Sequence, residues 1–348
     1  MSVIKNTEYL PEEPPQITFA LFAYNQEKYI REAIKGAFEQ TYSPLEIILS
    51  DDCSSDRTYE IIQEMVNEYD GPHKILLNKN KENLGLCDHI NTVMDLVSSD
   101  WVVVAAGDDV SLPQRVAETA QAISSNSDAY SIYFDSDYIR DDKSNQTIFI
   151  PDVSTHNLTE MINVGGAKVF GPSHAWNMKT FSVFGRMPKE AISEDRVIPF
   201  RSALLGEIVY IDKKVVRYRL HDSSISTTGM NTEDFLNFRE YRLRPFKRMR
   251  STFDSFITDL IIAKEKKILD SNNSDELIKL VIYQKKQLEN FISSLEGSYF
   301  KRIVSALKTL VNPSKFSGAS NVQRLNIFIN SLFPFLDFFY HKFIRNKR

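Results

Sequence analysis

Two adjacent carboxylates, Asp108 and Asp109, follow Gly107 directly after the apolar run Trp101 to Ala106. A buried strand that ends in paired acids puts hard oxygen ligands at a sheet's carboxyl edge, where open α/β sheets bind their ligands. Such a pair suits a divalent cation that carries a phosphorylated substrate, although acids at a strand end also serve as turn or helix caps. Four more segments group polar residues at the ends of apolar runs. They are Ala23-Tyr24-Asn25, Ser50-Asp51-Asp52-Cys53-Ser54-Ser55-Asp56, Ser193-Glu194-Asp195-Arg196 and Tyr218-Arg219-Leu220-His221.

The elements that must position these residues can be read from hydrophobic period. Gln16 to Tyr24 is rich in strand formers, and Glu27 to Phe38 carries Tyr29, Ile30, Ala33, Ile34 and Ala37 at helical spacing. The unit repeats with a strand at Leu45 to Ser50 and a helix from Ser55-Asp56 to about Tyr69. A third strand at Lys74 to Leu77, a helix at Cys87 to Val97, a fourth strand at Trp101 to Ala106 and a helix at Pro113 to Ile123, opened by Ser111, follow. This alternation predicts an α/β fold with a mostly parallel sheet and helices on both faces. Beyond Asp128 the expectation is two strands, Tyr130 to Phe134 and Asp137 to Arg140, joined by a turn, then a polar hairpin loop at Asp141 to Asn145. Two short strands, Ile208 to Ile211 and Val215 to Tyr218, flank Asp212-Lys213-Lys214, and a helix is expected over Val197 to Leu204. From Asn231 the pattern is helical, over Phe235 to Arg250, Phe253 to Leu269, Asp275 to Leu295 and Lys301 to Leu310.

Taken in order, the motifs resemble the family-2 glycosyltransferases, inverting enzymes with the GT-A fold, over about Gln16 to Ser226. The resemblance implies a Rossmann-like, mixed but mostly parallel sheet, here with a C-terminal helical region added. With the polar N-terminus and the helical pattern that starts at Asn231, the chain is expected to divide into a leader over 1–15, a glycosyltransferase domain over 16–230 and a helical region with a basic aromatic tail over 231–348. By the family pattern Tyr24, between Ala23 and Asn25, stacks on a nucleotide base and Asp52 hydrogen-bonds it, while Asn83 and Gly85 close a turn around the nucleotide. Asp109 becomes the ligand of Mn²⁺ or Mg²⁺, Asp108 its ribose-side neighbour and His221 a second metal ligand. Asp195 becomes the general base, with Glu194 beside it. Residue chemistry leaves alternatives open. Asp56 fits a helix start, Asp88 and His89 read as surface polar residues, and Glu194-Asp195 also suits a helix N-terminus. His174 and Trp176 lie where an acceptor or donor sugar is expected, but Trp176 reads equally as a buried ring.

Composition sets the outer bounds. The chain has 348 residues, 42% hydrophobic and 25% charged, and no stretch near the roughly 20 apolar residues that span a bilayer. Met1 to Pro15 lacks the basic and apolar regions of a secretory signal, and Cys53 and Cys87 suggest no disulfide framework, so a cytoplasmic setting is expected. The net charge of −4 hides an asymmetry: residues 301–348 hold nine Lys/Arg against Asp337 alone. With Phe328, Phe333, Phe335, Phe338, Phe339, Tyr340 and Phe343, this tail suits either an interfacial helix on the inner leaflet or a helix docked on the catalytic domain or a second copy. The expected partners are a UDP-sugar and a glycan or lipid-linked oligosaccharide of surface polysaccharide synthesis, with no nucleic acid and with homo-oligomerisation left open. A sugar nucleotidylyltransferase would want a glycine-rich basic loop after the first strand, which Phe22 to Gln26 does not provide. A noncatalytic glycan-binding protein on the same fold is the other alternative.

Overall fold

The computed structural model describes residues 14–140, 157–167, 169–188, 193–221 and 235–296. Three βα units open the chain: β1 (Ile17–Ala23), α1 (Ile30–Phe38), β2 (Leu45–Asp51), α2 (Thr58–Asn67), β3 (Lys74–Lys79) and α3 (Leu86–Met94). They are followed by β4 (Trp101–Ala106), β5 (Val110–Ser111) and α4 (Arg115–Ser125). All seven residues of β1 are buried, as expected for a central parallel strand covered on both faces. The second part comprises β6 (Ala129–Arg140), α5 (Leu158–Val164), a 3₁₀ turn at Gly171–Ser173, β7 (Ala175–Asn177), α6 (Lys179–Ser182), α7 (Glu194–Leu205) and β8 (Glu207–Leu220). Two long helices, α8 (Phe235–Glu265) and α9 (Ser271–Glu296), complete the described elements.

The strands form one sheet in the order β3-β2-β1-β4-β7-β6-β8-β5. β3, β2, β1 and β4 run parallel, β7 is antiparallel to both of its neighbours, β6 and β8 are parallel, and β5 is antiparallel to β8. The order places β1 against β4, so the crossovers leave β1 in opposite directions. That topological switch point is where an open α/β sheet leaves a crevice at its carboxyl edge. Register makes the crevice local, because Ala23 pairs with Asp51 and Phe22 with Ala106. The loops that begin at Tyr24, Asp52 and Gly107 therefore leave the sheet side by side. Phe19, Leu21, Ile47, Leu49 and Val103 pack beneath them against Ile30 and Ile34 of α1.

Four sequence expectations for elements change, one of them the pair of helices expected over Phe235 to Arg250 and Phe253 to Leu269, which is the single helix α8 ending at Glu265. The two strands expected over 130–140 are one strand, β6, with register shifts against β8 around Asp135 and Ser136. The pair expected over 208–218 is likewise the single strand β8, and the shift passes over Asp212 and Lys213. A bulge absorbs extra residues without ending a strand, which a turn-like sequence cannot reveal. Ser111 does not open α4; it pairs with Val216 in β5, and α4 starts at Arg115. The hairpin loop at Asp141 to Asn145 and the helix at Lys301 to Leu310 lie outside the described residues, as does the leader up to Glu13.

The chain divides into two compact units, Met1–His156 with Lys168–Lys189 and Arg201–Leu220, and Asn157–Ala167 with Glu190–Phe200 and His221–Arg348. The helical unit thus takes α5 and the start of α7 as well as α8 and α9. Within it Phe200 stacks on Phe256 with ring centroids 3.8 Å apart, and Phe246 meets Phe291 edge to face.

Candidate active site

The corner after β1 and β2 is built by reciprocal hydrogen bonds. Asp52 N–H bonds the Ala23 carbonyl at 2.9 Å, and Asn25 accepts from Ser55 N–H at 2.8 Å while its own N–H donates to Ser54 Oγ. Asn25 and Cys53 both have positive φ, 51° and 59°. Such backbone in a non-glycine residue costs about 1–2 kcal/mol, and the cross-links hold it. The Asp52 carboxylate accepts from Asn80 Nδ2 at 2.7 Å, Leu84 N–H at 3.0 Å and Gly85 N–H at 2.9 Å. Gly85, at φ 77° and ψ 164°, occupies a region essentially reserved for glycine, and Asn83 Oδ1 accepts a second bond from its N–H. Asp52 is thus the post on which the Asn83–Gly85 turn is hung. Tyr24 stands at the lip, 45% exposed, a ring free to meet a planar ligand. His89 is buried rather than a surface residue. Its Nε2 lies 2.6 Å from Ser50 Oγ and Phe22 meets it edge to face, so burial holds its pKa below the ordinary value.

The acidic corner follows β4. Gly107 N–H bonds the Phe22 carbonyl at 2.8 Å, and a side chain at 107 would collide with Gln26 and press on Ile30 and Ala23. Asp109 is 4% exposed; its Oδ1 accepts from Arg219 N–H at 2.8 Å, and its Oδ2 is buried without a hydrogen-bond partner. Burial first, and then the charge of Asp108, raise its pKa well above the ordinary carboxylate value. Arg115 and Arg219 oppose the shift. Arg115 is itself buried, donates to Ser111 Oγ and the Val104 carbonyl, and is pushed down to about 9 by desolvation against the pull of Asp109. Arg219 ties the corner together. Its Nε donates to the Asp108 carbonyl at 2.9 Å, its Nη2 to Glu32 of α1 at 2.6 Å, and its guanidinium lies 4.9 Å from the Tyr29 ring centre.

A buried carboxylate oxygen with an open lone pair suits a cation. Among the described residues no group of three or more His, Cys, Asp and Glu gathers as a metal cage. A site with one protein carboxylate fits a hard divalent ion whose other ligands come from substrate phosphates and water. His221 is half-buried at the start of the last segment of the helical unit.

Glu194 and Asp195 open α7 within the helical unit, where both carboxyls are desolvated. Burial and the adjacent Asp195 push Glu194 up to about 8, and burial raises Asp195 against the charges of Arg196 and Arg248. Arg248 of α8 has a buried Nε without a partner. The backbone is fixed here: Arg196 and Val197 N–H both bond the Ser193 carbonyl, and Arg196 Nη1 reaches the Gly165 carbonyl at 2.6 Å. Pro199 lies inside α7 and has no N–H for the Asp195 carbonyl, which frees that carbonyl from the helical ladder.

The expectation that His174 and Trp176 meet a sugar is corrected. Trp176 is 0% and His174 1% exposed, in and beside β7 between β4 and β6. His174 Nε2 is 2.8 Å from Ser131 Oγ, and burial with the nearby Arg115 pushes its pKa down to about 3, so it is a neutral core residue. Sequence reading missed Arg115, Glu32 and Arg248 because single charged residues on helices carry no motif. Arg219 stood inside the quoted Tyr-Arg-x-His segment, and its proximity to His221 was the available signal.

Comparison with known proteins bears on the family and the fold. Residues 18–185 match the family described as Glycosyl transferase family 2. An uncharacterised protein of Mycobacterium tuberculosis is 24% identical over 205 residues, 58% of either chain. Glycosyltransferase GlyA of Streptococcus pneumoniae is 27% identical over 228 residues, which is 61% of this chain and 31% of GlyA. The chain thus spans well under two thirds of either relative. Among solved structures, S. aureus TarS in complex with UDP-GlcNAc has a TM-score of 0.56 at 14% identity, covering 91% of this chain and 81% of that one. The fold is that of the GT-A enzymes, and residues 18–185, just under half of the chain, are similar to glycosyl transferase family 2.

Proposed function

We propose that the protein transfers a sugar, with inversion, from a nucleotide sugar to a glycan or lipid-linked oligosaccharide of surface polysaccharide synthesis. The observation that carries this reading is the juxtaposition, at one switch point, of the exposed Tyr24, the Asp52-anchored turn and the unpartnered Oδ2 of Asp109. Tyr24 stacks on the base. Asp52 retains an accepting lone pair on Oδ2, beyond the bond from Gly85, for the base N–H. A UDP-sugar is the donor this reading assigns, because uracil N3–H can donate to a carboxylate at that place and TarS, on the same fold, is solved in complex with UDP-GlcNAc.

Asp109, with His221 as a second candidate, would hold Mn²⁺ or Mg²⁺, which when bound neutralises the diphosphate and makes it a better leaving group. Asp108 faces the ribose side. Asp195 takes the proton of the attacking acceptor hydroxyl, and its raised pKa makes it a stronger base than an exposed aspartate. Glu194, raised by burial and by the adjacent charge of Asp195, is shifted toward its protonated form beside that base. No helix of the described residues is long and apolar enough to cross a membrane. The basic aromatic tail would supply peripheral attachment at the inner leaflet, where lipid-linked acceptors reside.

Calorimetric titration of UDP and of GDP, each with and without Mn²⁺, tests the reading without an acceptor. Mn²⁺-dependent binding of UDP in preference to GDP is expected. Binding of neither nucleotide to folded protein would overturn the donor assignment.

A further inference from the structure

The two long helices carry the same pattern on one face. In α8 the residues are Asp254, Ile257, Ile261 and Lys264; in α9 they are Asp275, Ile278, Ile282 and Lys285. Steps of three, four and three residues keep each quartet on a single helical stripe. The helices run antiparallel, and the stripes lie side by side. Lys285 pairs with Asp254 at 2.5 Å and Lys264 with Asp275 at 2.6 Å, one ion pair at each end. Between the pairs lie the four isoleucines. Ile261 is 44% and Ile282 51% exposed, and Ile257 and Ile278 are half-buried. The adjoining stripes, with Phe256, Leu260 and Ala263 on α8 and Leu277 and Val281 on α9, are buried and form the unit's own core, while Ile261 and Ile282 stand outside it.

The arrangement has an internal twofold: acids occupy one diagonal of the face and lysines the other. A second copy turned by 180° about an axis in the plane of the face sets an Asp over a Lys at every corner and isoleucines over isoleucines. This holds whether the axis runs along the helices or across them. Such self-complementarity is what an isologous interface requires. We propose that this face of the α8–α9 hairpin is a homodimer interface, closing a four-helix bundle with a second copy of the chain. Other occupants fit it less well. Two acids and two bases give the face no net charge, so it does not select the strongly basic segment 301–348 or an anionic membrane.

The test uses the full chain and light scattering after gel filtration at micromolar concentration. Wild type is expected at twice the 40.1 kDa chain mass. Asp254→Lys with Asp275→Lys makes all four corners basic, and Lys264→Asp with Lys285→Asp makes all four acidic. Each double variant is expected to run as a monomer, and an equimolar mixture to recover the doubled mass. Recovery would itself show that both variants fold. The exposed ion pairs lost within each hairpin are worth only about 0.2–1 kcal/mol apiece. A monomeric wild type, as when the tail or nothing covers the face, overturns the proposal. So does a dimer that survives in both double variants, which places the interface elsewhere.

Discussion

Asp109 is the residue whose environment is least suited to stability alone. Its carboxylate is almost fully buried, flanked by Asp108, and leaves one oxygen without a hydrogen bond. An unsatisfied buried polar group costs about 1–3 kcal/mol, a burden typical of functional sites. In EDTA, Asp109→Asn should therefore melt at or above the wild-type temperature while transfer and Mn²⁺-dependent UDP binding disappear. A large drop in melting temperature would show that Asp109 is chiefly the counter-charge of Arg115 and Arg219. Asp195→Ala should abolish transfer yet leave UDP binding intact, and normal transfer by that variant would remove Asp195 as the base. Glu194 yields a pH prediction. Its pKa is raised from the ordinary 4.5 to about 8 in the folded chain, so the folded state binds the proton more tightly than the unfolded one. Its contribution to stability is full below about pH 4.5 and is lost as pH rises toward 8. Glu194→Gln should flatten the fall in urea midpoint across that window. An unchanged slope would place the titration on another group.

At the scale of elements, the first half of the fold was legible because each βα unit repeats one pattern. Apolar strands end in polar loops, and helices keep their apolar positions on one face. Trp101–Ala106 begins and ends where its composition changes. The bulged strands β6 and β8 were not legible, since Asp135 to Asp137 and Asp212 to Lys214 have turn-like composition and only their pairing keeps them extended. The helix α8 runs through the expected break between Arg250 and Phe253, because packing on α9 outweighs the weak helix preference of Ser251 and Thr252. Of the site, the strand-end loops were visible as motifs. Their supporting cations were not, because Arg115 stands on α4 without a motif and Arg219 acts from β8, distant in sequence. The turn at Gly85 offers a clean test of element geometry. An added methyl group there meets nothing within 4 Å, yet φ and ψ are hostile to any side chain. Gly85→Ala should thus cost roughly 1–3 kcal/mol by urea denaturation and weaken UDP binding, because the N–H that anchors Asp52 shifts. A change below about 0.5 kcal/mol, the usual size for a neutral surface substitution, would show that the turn relaxes freely.

Over the whole chain, charge is the property that sequence alone displays best. Residues 301–348 carry +8 and the preceding 300 residues −12, so a negative surface attracts one end of the molecule and repels the rest. Near an anionic leaflet each basic residue contributes about 1 kcal/mol, and the effect decays within a Debye length. Apolar anchorage is also needed, since electrostatics alone would be lost at moderate salt, and the tail's phenylalanines can supply it. The full chain should therefore co-sediment with vesicles containing phosphatidylglycerol and far less with phosphatidylcholine alone, and binding should weaken as salt rises. Replacing Lys342, Arg345, Lys347 and Arg348 together with Gln should reduce vesicle binding several-fold while leaving UDP affinity unchanged. Equal binding to neutral vesicles, or no loss in the Gln variant, would assign the tail's aromatic residues to protein contacts. The charge reversals that split the dimer turn the neutral isoleucine face into one of four lysines or one of four aspartates, so each monomer should still bind vesicles through its tail, more strongly with the basic face and more weakly with the acidic one, apart from any avidity lost with the second tail.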